Sequence, residues 1–163
     1  MLKLLGYCGY YLSMLIWYAF FATIAAGHFF FYFNQNPGFC FAYSQKSLTE
    51  AFPSGGDNLH DVSTNFKLVN MWGGITFALI TLLLMIAHFS LWRDRYGAEW
   101  IICPAVVLAI NWVGYFLCLM SVRLRHAGKV CSGDYLPNRL LFNENLSPYI
   151  HNSGLFLWYA IIA

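Results

Sequence analysis

The residues in this 163-residue chain best able to do chemistry are five cysteines and five histidines. Metal sites declare themselves by close spacing such as HxxxH or CxxC, and neither pattern occurs in the sequence. His28 falls late in the first apolar run and His88 late in the second. Antiparallel neighbours place those two at opposite ends, too far apart to share an iron or any other metal. His60, His126 and His151 fall in polar stretches of a common face, where they could meet. Cys131 and His126 have the types of a nucleophile and a base, but they sit close together on one loop, and nothing else points to catalysis. No GxSxG, Walker or paired-carboxylate motif occurs. The expectation is a chain that is no enzyme and that carries no metal and no cofactor.

The cysteines say more. Cys40 and Cys131 are the two that fall outside apolar runs, and the topology below puts them on one face. A disulfide between them suits an oxidising compartment, and two unpaired thiols are the alternative. Cys8 and Cys103 lie near the opposite face, where palmitoylation and inert burial are both open. Asn145, in Asn145-Leu146-Ser147, is a candidate glycosylation acceptor, although Pro148 follows the triplet.

Composition sets what must position these residues. Of all residues 60% are hydrophobic, 20% aromatic and only 10% charged. Soluble domains carry about 25% charged residues. The apolar excess must face lipid. A net charge of +2 gives no reason to expect nucleic acid. The charges are also segregated, since residues 4–33, 68–92 and 100–122 contain no Asp, Glu, Lys or Arg. A helix needs about 20 mostly apolar residues to cross about 30 Å of hydrocarbon, so each run predicts a transmembrane helix. The first is too long for the apolar core of a signal peptide. A fourth apolar segment, from residue 153 to 163 onward, is too short to cross by itself. It is expected to continue beyond Ala163 into a complete fourth span, with a re-entrant segment as the alternative.

The predicted fold is an all-α integral membrane protein in a single tetraspan domain over residues 1–163, a four-helix transmembrane bundle whose fourth helix is incomplete. Two long loops, 34–67 and 123–152, share one face, and the tight hairpin around Arg93-Asp94-Arg95 lies on the other. In loop 1, Ser47-Leu48-Thr49-Glu50 matches a capping box and predicts a short helix. Asp61 or Ser63 can cap a helix that runs straight into the second span. Basic residues flank spans on both faces and leave orientation undecided. The cysteines and the Asn145 triplet lean the long loops towards a lumenal or extracellular side.

Intramembrane charge is absent from the runs, which speaks against a pump, a proton-coupled carrier or a voltage sensor. Packing chemistry is abundant. Gly6 with Gly9, Ala22 with Ala26, Thr23 with Gly27, Gly74 with Ala78 and Ala105 with Ala109 fall at helical spacing. Small residues let helices approach closely in lipid. They hold the helices of one chain together or join separate chains. Asn111 falls mid-span, where its amide must find a partner on another helix. The aromatic run Phe29-Phe30-Phe31-Tyr32-Phe33 covers every face of a helix, so part of it meets lipid or protein.

Short N-terminus, long loop, tight hairpin, long loop: this plan resembles MARVEL-type tetraspan proteins. The segment most like them is Arg125-His126-Ala127-Gly128-Lys129-Val130-Cys131-Ser132-Gly133-Asp134-Tyr135-Leu136, similar to the cysteine-bearing second loop of some protist and fungal members. The Trp-Gly-Leu-Trp signature of claudin-like tetraspans is absent. The resemblance implies a non-catalytic scaffold that organises membrane, its partners being the lipid bilayer and other membrane proteins or copies of itself. The alternative is an accessory subunit of a larger membrane complex, a respiratory assembly or a channel.

Overall fold

A computed structural model describes residues 2–34, 40–45, 59–93, 101–135 and 148–162, with side-chain surroundings given for all of these except 2–9, 91–93, 148–149 and 151. The elements in order are α1 (Leu2–Asn34), β1 (Phe41–Tyr43), β2 (Leu59–Asp61), α2 (Val62–Arg93), α3 (Ile102–Leu124), α4 (His126–Cys131) and α5 (Pro148–Ile162). Three helices, α1, α2 and α3, are long and apolar enough to cross a membrane, the requirement of a multi-pass membrane protein. The capping box at 47–50, the hairpin at 94–99 and Asn145 lie outside the described residues.

Helix α2 starts before its apolar run does. Asp61 Oδ1 accepts the Thr64 backbone N–H at 3.1 Å and the Ser63 hydroxyl at 2.6 Å, so Asp61 is the cap. Burial alone would raise the Asp61 pKa, but the bonds from Ser63 and Thr64 prevail and hold it below the usual carboxylate value. Lys67 is accommodated in the second turn with its ammonium 5.4 Å from the centre of the Tyr32 ring. Ahead of the cap, β1 and β2 pair antiparallel with Ala42 opposite His60, and the Val62 N–H bonds to the Cys40 carbonyl at 3.0 Å. This ribbon and α4 are absent from the sequence reading. Three-residue strands and a six-residue helix leave almost no periodicity to detect.

Cross-helix bonds fix the directions. Tyr18 bonds to the carbonyl of Leu84 and His28 to Asn70, so α1 and α2 run antiparallel. Trp72 bonds to Asn111 and Tyr115 to His28, so α3 returns antiparallel to α2. The shorter α5 begins at Pro148, ahead of the expected start at Ser153, and packs against α1, α2 and α3. Helix α2 is central, with 33% of its most apolar stretch buried, against 11% for α1 and for α3.

Candidate functional site

Four side chains from four helices meet in the middle of this packing: His28 of α1, Asn70 of α2, Tyr115 of α3 and Ser153 of α5, each at most 1% exposed. Asn70 Nδ2 donates to Ser153 Oγ at 2.7 Å, and Asn70 Oδ1 meets His28 Nδ1 at 3.0 Å. Since an amide oxygen only accepts, Nδ1 carries the proton. Nε2 then accepts the Tyr115 hydroxyl, 2.9 Å away. In a neutral imidazole this pattern fixes one tautomer, with every hydrogen bond directed to a different helix.

The imidazole of this chain of bonds is closely packed. The His28 ring stacks on Phe77 at 5.7 Å and meets the edge of Phe156 at 4.8 Å. On the α2 side, a Cβ added at Gly73 would lie 2.7 Å from the imidazole Cε1, so only glycine admits the ring. An aromatic wall of this kind strengthens the enclosed hydrogen bonds and raises the cost of breaking one. One helical turn away a second tie repeats the arrangement: Trp72 Nε1 donates to Asn111 Oδ1 at 3.0 Å, and Asn111 Nδ2 donates to Thr76 Oγ1 at 2.8 Å. The mid-span Asn111 thus has its cross-helix partners. Asn70, Tyr115 and Ser153 had no sequence signal beyond being polar in apolar surroundings.

A third tie closes the end of α3. Arg123 is 2% exposed; its Nε donates to the Gly154 carbonyl at 2.8 Å, and its two terminal nitrogens form a fork with the Asp134 carboxylate, each bond 2.9 Å. Its guanidinium also lies 5.6 Å from the Trp158 ring centre. Asp134 reaches back because α4 ends in a Schellman turn: the Gly133 N–H bonds to Val130 O and the Asp134 N–H to Lys129 O, each 3.0 Å, with Gly133 at φ 79°. Beside that turn Cys131 forms a disulfide with Cys40, their Cα atoms 6.1 Å apart and both sulfurs enclosed. The sequence treated Arg123 as a charge flanking a span. A carboxylate brought back by a cysteine-and-glycine turn was the available clue.

The other singled-out residues are dispersed. Gly27 backs onto Phe156 and Gly74 onto Phe29, both contacts within the chain. Ala22, Ala26 and Ala78 are exposed. Ala105 and Ala109 line an apolar groove of about 700 Å³ between α1, α2, α3 and the last turn of α5, walled by Trp17, Phe21, Leu84 and Trp112. Gly6 and Gly9 fall in α1, outside the residues whose surroundings are described. His28 and His88 are at opposite ends of the α1–α2 pair, His88 among Tyr10, Tyr11 and Tyr18. Among the described residues no three His, Cys, Asp or Glu side chains gather as a metal site would require. Compared with protein-family models, with curated proteins and with solved structures, the chain finds no match.

Proposed function

We propose that this chain is a non-catalytic tetraspan scaffold of the MARVEL-like kind, working by association with lipids and other membrane proteins or copies of itself. The observation that carries this reading is the tie of His28, Asn70, Tyr115 and Ser153. Its polar atoms are spent on one another and walled by aromatic rings, as suits a rigid body held in register. In this reading α5 is the start of the fourth crossing. Its last turn, Ala160 to Ile162, borders the apolar groove, which offers a continuing helix three walls already in place. Both long loops then leave the bundle on the side closed by the Cys40–Cys131 disulfide, the lumenal or extracellular one.

The low burial of α1 and α3 supports the accessory-subunit alternative to an equal degree, because both helices offer outward faces to a neighbour. Mass measurement in nanodiscs tests the common element. A species heavier than one chain, or one with a co-purifying polypeptide, is expected. A single chain without a partner would end the assembly reading.

A further inference from the structure

At the level where α2 enters and α3 leaves the apolar zone, a second cavity of about 250 Å³ opens between the β-ribbon, the first turn of α2 and the α3–α4 bend. Its wall is more polar than apolar and carries Ser44, His60, Asn65, Arg125 and His126. At about 30 Å³ per water it has room for roughly eight waters, or for a group of headgroup size. We propose that this cavity binds a phosphate-type anion, presented by a lipid headgroup or free in the aqueous phase.

Three observations carry the proposal. The first is charge. The two carboxylates among the described residues are committed elsewhere, Asp61 to the α2 cap and Asp134 to Arg123. Neither is left for the guanidinium of Arg125, which is exposed at the cavity wall. The second is the donor set. A planar guanidinium, an imidazole, an amide and a hydroxyl around one cavity are groups that recognise phosphate oxygens, and Arg125 can match two of them at once. Backbone structure fixes their origins. Arg125 is the extended residue between α3 and α4, its carbonyl bonded to the Lys129 N–H, and His60 is held opposite Ala42 in the ribbon. His126 is buried and secured through Nδ1 to the Tyr135 hydroxyl at 3.1 Å. The third is depth. Arg125 directly follows the apolar span of α3 and Val62 opens that of α2, so if these helices cross a membrane the cavity lies at headgroup level. None of this depends on whether the chain assembles, and a monomer would bind equally.

The test uses the full chain in neutral detergent, with native mass spectrometry after incubation with phosphatidylglycerol or phosphatidylcholine, and thermal unfolding with inorganic phosphate. Wild type is expected to retain phosphatidylglycerol in preference. Arg125→Gln should lower that retention by about tenfold, equivalent to about 1.4 kcal/mol. Arg125→Lys should lower it less, and Lys129→Gln should leave it unchanged. His60→Gln is the second variant, with a smaller loss expected, and serves if Arg125→Gln fails to fold. Preference for the anionic lipid that depends on Arg125 identifies a headgroup. Equal retention of both lipids, with phosphate raising the unfolding temperature of wild type but not of Arg125→Gln, identifies a free anion. Equal retention with no phosphate effect would overturn the site, as would equal losses in Arg125→Gln and Lys129→Gln.

Discussion

Replacing Asn70 by leucine keeps the approximate volume and removes the two bonds that Asn70 makes, one to α1 and one to α5. His28 Nδ1–H then lacks its acceptor at 3.0 Å and Ser153 Oγ its donor at 2.7 Å. A buried donor or acceptor left unpaired costs about 1–3 kcal/mol in water-soluble cores. Hydrogen bonds between membrane helices average about 0.6 and reach about 1.7 kcal/mol, because the separated helices also find partners in the bilayer. Two such bonds give a loss of about 1–3 kcal/mol for Asn70→Leu. Ser153→Ala and Tyr115→Phe each remove one bond and should cost about half as much. The assay is reversible unfolding in mixed detergent micelles, followed by tryptophan fluorescence. Ser153→Ala made in the Asn70→Leu background should cost nothing further, since its partner is already gone. A neutral Asn70→Leu, or costs that simply add in the double variant, would refute the tie as a source of stability.

Asp134→Ala should destabilise by about 2–3 kcal/mol in the same assay, somewhat below a wholly buried pair, because the Asp134 side chain keeps 29% exposure while Arg123 keeps 2%. Adding Arg123→Met should recover part of that loss by removing the stranded charge. In denatured protein, maleimide should label three of the five cysteines before reduction and all five after it. Replacing Cys40 and Cys131 by serine should cost at most about 4.5 kcal/mol for a sequence separation of 91, and less where the unfolded helices stay embedded. Asp61→Ala should cost about 0.5–2 kcal/mol as a lost cap. Because the folded Asp61 pKa lies below its ordinary 3.8, this contribution is complete above that value and disappears as pH falls through the folded one. Hydrogen exchange at the Thr64 amide reads the loss directly.

The spans were legible because lipid imposes the same demand on every residue of a run, and charge-free stretches record it. Helix boundaries were uneven: the start of α2 after Asp61 was one of two caps the sequence offered, whereas α5 begins at Pro148, five residues ahead of the expected 153. Shared face and position outside the apolar runs singled out Cys40 and Cys131 as the pair to expect, with two unpaired thiols as the alternative, and the structure joins them. Asn111 announced a need for partners without naming Trp72 and Thr76. His28 was visible as a late-helix histidine, but its partners are separated from it by 42 and 87 positions, and no local pattern connects them. Gly27 illustrates the same limit. Small size said that something packs closely there, and the structure gives Phe156 of the same chain, not a neighbour. Substitution at Gly27 is therefore a probe of the fold, while the exposed Ala22 and Ala26 are the residues on which to test association.

The order of synthesis gives the four-helix tie a further consequence. His28, Asn70, Tyr115 and Ser153 leave the ribosome in that sequence, and Ser153 comes last. With α1, α2 and α3 in place, the Asn70 amide still lacks its acceptor, because Nδ2 donates to Ser153 of α5. Docking of α5 supplies it, so the tie closes only after the chain has been made past Ser153.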